Sequence, residues 1–216
     1  MHISDYYPSV KELIDFAEPD VLCNIELENK GFSIRDMLQL SGGVPAYITD
    51  LQFSVHAPVY GTGVFNTNSL CNSFTSVRRI DLGNKLITNT FLTVSQTNNR
   101  IGTNIIINQV IAGQRLGFNK ILVTAMGGKQ APDMFGHYAW ARLGFLMDED
   151  AVTEFKALMF DNNRTETSIQ ELLSTEEGRS FWLVNGKTWF GEFDLTDGSN
   201  SYHILNHYLN EKGITL

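Results

Sequence analysis

Arg115-Leu116-Gly117-Phe118 and Arg142-Leu143-Gly144-Phe145 are two copies of one tetrapeptide in the middle of the chain. Each closes a stretch of helical spacing and opens an extended, apolar one. Glycine suits the left-handed position just past a helix, where a side chain would clash with the backbone. The phenylalanine after it can fold back on the last helical turn. The arginine complements the negative end of the helix dipole. From residue 102 to 147 the chain therefore reads helix, stop, strand, loop, helix, stop, strand.

Working outward, residues 103–116 have helical spacing, with Ile106, Val110 and Gly113 stacked on one side and Ile107 and Ile111 on another. Gly113 inside a helix costs about 1 kcal/mol relative to alanine, which predicts an element packed closely there. Residues 121–125 read as a short strand, 127–135 as a loop and 136–143 as a short helix. Upstream, residues 77–82 and 85–94 read as two strands joined by a tight turn at Gly83-Asn84. Residues 58–73, rich in Gly, Asn, Thr and Ser, read as a long loop or insertion, and 46–56 as a strand. Residues 32–40 read as a short helix ended by Gly42-Gly43, 20–28 as a strand and 8–16 as a helix.

Beyond Asp148 the pattern changes to short capped helices. Asp150 is expected to start one, and Thr167 or Ser168 another over 169–173. The capping-box spacing of Ser174-Thr175-Glu176-Glu177 starts a third. Residues 188–195 put Trp189, Gly191, Phe193 and Leu195 on one face of a last strand that completes the sheet. A final helix, 202–212, follows Asp197-Gly198-Ser199. Trp182, Trp189 and Phe190 read as core of this C-terminal part.

The 216 residues carry a net charge of −8 with a pI near 5.0, which argues against nucleic-acid or anionic-membrane binding, since both need clustered Lys and Arg. Cys23 and Cys71 are far apart and read as buried free thiols in a reducing compartment. No signal-type N-terminus and no apolar stretch of spanning length is present, so the expected location is cytoplasmic. His203 and His207 share a helix face but have no third ligand in sequence, and no metal site is expected.

The segment between the strong strand and the long helix carries the chemistry: Ser95-Gln96-Thr97-Asn98-Asn99-Arg100-Ile101-Gly102-Thr103. A helix start presents backbone N–H groups and partial positive charge, which suits a phosphate. Gly102 lets a ligand approach the backbone, Arg100 adds a forked cationic donor and Thr103 a hydroxyl. An ordinary polar loop capped by Asn98 or Asn99 is the plainer reading of the same residues.

At these residues the sequence resembles the GNAT superfamily of N-acetyltransferases. That family has a strand, an R/Q-x-x-G-x-G/A loop, a long helix ending in LGF, a strand, and a helix ending in Y-x-x-x-GF. Here residues 97–102 occupy the loop, 115–121 match the first helix end and next strand, and 138–145 match the second helix. The resemblance implies an α/β fold with a mixed, largely antiparallel central sheet flanked by helices. It implies a single domain over residues 1–216, with a core over about 46–147 and a C-terminal helical elaboration over 148–216. It also implies that acetyl-CoA or another acyl-CoA is the co-substrate. The pantetheine arm would pair near Leu92, Thr93 and Val94, and the pyrophosphate would sit on Asn98, Asn99, Arg100, Ile101, Gly102 and Thr103. An amine acceptor, small molecule or protein, would attack the thioester directly, and a homodimer is compatible with the resemblance. Tyr138, His137 and Asp81 are the candidate catalytic groups. The chain departs from the pattern at Thr97 and Arg100, and Trp140 stands where the acid tyrosine is usual. Those departures define the alternative: a catalytically inactive relative acting as a binding, scaffold or CoA-sensing protein.

Overall fold

The computed structural model describes residues 27–43, 51–59, 62–69, 74–94 and 100–214. The expected helix over 8–16, most of the strand over 20–28, the first residues of the strand over 46–56, and Cys23 and Cys71 lie outside them. The chain is α/β, with a mixed sheet flanked by helices. It divides into two compact units, one running to Ile121 and the other spanning Leu122–Gly213, with the boundary inside a strand.

In the first unit, β1 (Leu51–Val59), β2 (Thr62–Ser69), β3 (Phe74–Asp81) and β4 (Leu86–Val94) form an antiparallel meander in that order. β2 corrects the expected loop over 58–73. Its polar composition hid it, but both its edges are laddered, with Phe65 opposite Val55 on one side and Arg78 on the other. Backbone pairing, not side-chain polarity, makes it a strand. Pro58 falls within the register shift between His56 and Val59, where a missing donor costs the ladder nothing.

The β3–β4 turn is also wider than the two residues expected, covering Leu82 to Lys85. The Asp81 carboxylate accepts from Asn84 N at 2.9 Å and Asn84 Nδ2 at 2.8 Å. Lys85 takes the left-handed conformation with φ 56°. Just past the first helix stop, Asn119 N donates to Lys85 O at 2.8 Å, and Asn119 Nδ2 to Asn84 O at 3.3 Å. The turn is thus tied to the residues that follow Gly117.

The described residues of this unit also include α1 (Ile34–Leu40), closed at its start by a Ser33–Asp36 capping box, and α2 (Ile101–Arg115). Arg115 reaches Asp36 at 3.1 Å and also bonds Gln39, fastening the end of α2 to α1. At the stop, Phe118 N donates to Gly113 O at 2.8 Å and Gly117 N to Gln114 O at 3.0 Å, with Gly117 at φ 70°. This is the 6→1, 5→2 pair of a Schellman motif.

In the second unit, residues Leu122–Ala125 of β5 (Lys120–Ala125) lead to α3 (Gly136–Arg142) and β6 (Leu146–Met147). Then follow α4 (Glu149–Asp161), α5 (Ile169–Leu173), α6 (Glu176–Asn185), β7 (Trp189–Asp194) and α7 (Asn200–Glu211). β7, the last strand in sequence, joins the sheet as expected, as an inner strand. It lies between β5 and β6, antiparallel to β6. The second stop repeats the first: Phe145 N donates to Trp140 O, Gly144 N to Ala141 O, and Gly144 has φ 93°. Asp148 rather than Asp150 caps α4, and Thr175 rather than Ser174 caps α6, each accepting from the amide three residues on. Phe145 sits edge-on to Trp140 at 4.8 Å and to Phe193 at 5.5 Å, and Phe193 edge-on to Tyr202 at 5.3 Å. These contacts join α3, β7 and α7. Trp182 and Trp189 are core as expected, but Phe190, on the opposite face of β7 from Trp189, is 60% exposed.

Candidate functional site

Most of the residues expected to hold a nucleotide cofactor fall in the first unit, at one end of β4 and the start of α2. The β3–β4 register passes from Val77↔Phe91 to Arg78↔Asn89, so Thr90 is an extra residue, a β-bulge. The bulge turns Thr90 and Phe91 outward together. Past it, Leu92, Thr93 and Val94 pair with Ser76, Thr75 and Phe74. The guanidinium of Arg78 pins the bulge from within, its Nη1 donating to Phe91 O at 2.7 Å and to Val77 O at 3.1 Å.

Arg100 is the N-cap of α2. It is exposed, has φ 56° and ψ 18°, and places no side-chain hydrogen bond on the helix start. Its carbonyl accepts from Asn104 N at 2.9 Å and opens the helical ladder. Ile101 is buried and anchors the first turn in the core. Gly102 lies beside the end of β4: a Cβ built on it would meet Val94 Cγ2 at 3.5 Å, an ordinary contact. Neither a positive φ nor crowding among the described residues requires glycine there. Thr103 follows in the same turn, half-buried. Asn98 and Asn99 lie outside the described residues.

A left-handed conformation costs a non-glycine residue about 1–2 kcal/mol. Arg100→Gly is therefore expected to raise the stability to urea unfolding by about 1 kcal/mol, less than the full strain because glycine loses more chain entropy. An unchanged or lower midpoint would mean that the arginine side chain supports the loop by contacts that offset its strain.

Among the candidate catalytic residues, the one in the same unit, Asp81, lies far from that end. Asp81 is paired with Leu86 at the turn end of the hairpin, eight residues from Val94, or roughly 25 Å along the strand. The backbone and then the side chain of Asn84 hold its carboxyl below the usual range, and it is committed to the turn. His137 and Tyr138 lie in the second unit, in the first turn of α3. His137 is 1% exposed. Its Nε2 lies 3.3 Å from Trp182 O, and its carbonyl accepts both indole N–H groups, Trp182 at 3.1 Å and Trp189 at 2.9 Å. The ring is walled in by Gly127 and Gly186, where any Cβ would strike it. Burial pushes its pKa down, so it is held neutral. Tyr138 is half-buried, and its hydroxyl accepts from Arg142 Nη1 at 3.0 Å, which leaves its own proton to donate. Trp140 is buried against Phe145. His203 and His207 are exposed on α7, with His207 Nε2 3.6 Å from Glu211. Among the described residues no group of three or more His, Cys, Asp or Glu is placed to hold a metal, and no helix is long and apolar enough to cross a membrane.

Sequence reasoning missed Arg78 and the buried amide pair beside it. Asn89 and Gln109 exchange hydrogen bonds at 2.9 and 3.0 Å, and Gln109 Nε2 also reaches Leu40 O at 2.8 Å. The available signal was alternation, since Arg78 falls in step with Phe74 and Ile80. No family model matches the chain, and no curated protein or solved structure matches it.

Proposed function

We propose that the chain is an acyl-CoA-dependent N-acyltransferase, with acetyl-CoA as its co-substrate and an amine as acceptor. The observation that carries this reading is the junction of β4 and α2. A bulged strand ends beside a helix start whose cap is an exposed arginine, and the second helical residue is a glycine that the described fold does not require. The amides of residues 101–103 and the Arg100 guanidinium form a cradle suited to a diphosphate. The backbone of Leu92, Thr93 and Val94 leads away from it along the line a pantetheine arm would take. In this reading an amine attacks the thioester carbonyl, loses its proton to water, and expels the thiolate. Asp81 and His137 take no part, the first by position and the second by enclosure.

Acetyl-CoA at millimolar concentration is expected to raise the melting temperature by several degrees, and Arg100→Glu to abolish the rise while the protein stays folded. A folded wild-type protein with no shift would count against the proposal.

A second reading is favoured by one observation: the usual position of the acid tyrosine holds Trp140, buried edge-on against Phe145. On that reading the chain binds CoA without transferring the acyl group and acts as a scaffold or CoA sensor. Binding without thioester cleavage across a panel of amines distinguishes it.

A further inference from the structure

Arg78 is a fully buried cation with one edge unused. Phe74, Ser76, Arg78 and Ile80 form one face of β3, and each is at most 1% exposed. The Nη1 of Arg78 is occupied by Phe91 O and Val77 O. Its Nε and Nη2 are buried and have no hydrogen-bond partner. These two atoms are the parallel donors of the guanidinium's long edge, the fork that takes both oxygens of a carboxylate at once.

The surroundings sharpen the point. Ser76 Oγ, two residues along the same strand face, is also buried without a partner. The Nη1 bonds hold that end of the guanidinium at the Val77–Phe91 pair, next along β3 from Ser76. The neighbouring amides are already committed, Asn89 to Gln109 and Gln109 to Asn89 and Leu40 O. No ion pair to Arg78 is present among the described residues. Burial brings its pKa down only to about 9, so it remains cationic at neutral pH. An unpaired charge and three unpaired donors on one buried face are costly in isolation and favourable once an anion fills them.

We propose that Arg78 and Ser76 form a receptor for a small carboxylic acid, its carboxylate seated side-on against Nε and Nη2 of Arg78 and bonded by the Ser76 hydroxyl. The apolar neighbours Phe74 and Ile80 on the same face suit an acid with a short hydrocarbon body. The proposal stands independently of the acyl-CoA reading, since it uses neither Arg100 nor the amides of α2.

The test uses the full chain, unfolded and refolded in carboxylate-free buffer to strip any ligand carried through purification. Propionate is titrated while the Arg78 Nε–H resonance is followed by 15N NMR and the melting temperature is read in parallel. The expected result is a saturable downfield movement of that resonance and a rise in melting temperature. Chloride or phosphate at equal ionic strength should produce neither. Ser76→Ala is expected to weaken the apparent affinity about tenfold, and Arg78→Lys, which keeps the charge but loses the fork, to abolish both responses. If Arg78→Lys does not fold, Ser76→Ala and the wild-type resonance still decide. A wild-type resonance that does not move, an equal response to chloride, or a Ser76→Ala variant with unaltered affinity overturns the proposal.

Discussion

Gly144→Ala is expected to cost about 3 kcal/mol or more of stability, whereas Gly117→Ala costs about 1. The two glycines are the third residues of matching tetrapeptides, both have positive φ, and both take part in the same pair of helix-ending hydrogen bonds. The shared term is the left-handed strain on an alanine, about 1–2 kcal/mol, partly offset by the lower chain entropy of alanine in the unfolded state. The difference is what surrounds them. A Cβ at Gly117 meets nothing within 4 Å. A Cβ at Gly144 would run into the backbone oxygen of Ser201 at the start of α7 and lie 3.0 Å from Phe193 Cε2. Backbone cannot rotate aside as a side chain does, so α7 must shift or the stop must unwind, and overpacking of this kind costs a further 1–3 kcal/mol. Urea unfolding of both variants measures the contrast. Equal losses would show that α7 yields to the added methyl without cost.

Acidification supplies the second large effect. The His137 imidazole is enclosed, held neutral by burial, and its Nδ1 has no hydrogen-bond partner. In the unfolded chain the same ring takes a proton near pH 6.5. The unfolded state therefore binds more protons than the native state between that pH and the lower native pKa. Stability is full above about pH 6.5 and falls as the pH drops below it, until the native pKa is passed. One group contributes at most about 1.4 kcal/mol per pH unit in that window. His137→Gln should remove the titration and flatten the wild-type curve just below pH 6.5, at some cost in absolute stability. Parallel curves for the two proteins would show that the ring protonates in place, with water reaching it from the 127–135 loop.

What was legible in the sequence was what the backbone demands locally. Gly117 and Gly144 announced their helix ends because a positive φ there depends on a few neighbouring atoms only. A cap at Thr167 or Ser168 is legible for the same reason, and the structure uses Ser168. Asp148 and Asp150 are equally able to cap, and only the chain's path at Asp148 decided between them. β2 was missed because its ladder partners are backbone groups on two other strands, which composition does not report. Arg78 was missed because each face of β3 mixes polar and apolar residues, Phe74 and Ile80 with Ser76 and Arg78 on one and Val77 with Arg79 and Asp81 on the other. Alternation gave two faces and did not say which was inside.

The same division holds at the candidate site. The nearness of Val94 and Gly102 was legible because they are close in sequence, and a Cβ on Gly102 would touch Val94. Arg100 in the left-handed region was not, since that conformation is ordinarily written as glycine. Asp81 was chosen for nearness along the chain, and the hairpin carries it to the opposite end. The burial of His137 was not legible, because nothing nearby in sequence announces Trp182 and Trp189, whose indoles close over its carbonyl.

Isothermal titration of the folded chain with acetyl-CoA, beside Arg100→Glu and Arg100→Gly, tests the central claim most directly. The account predicts saturable one-site binding by the wild type, loss of binding in Arg100→Glu, and weakened binding in Arg100→Gly, which keeps the backbone cradle but not the charge. Absence of binding by a wild-type protein of intact fold, or equal affinity in all three, would contradict it.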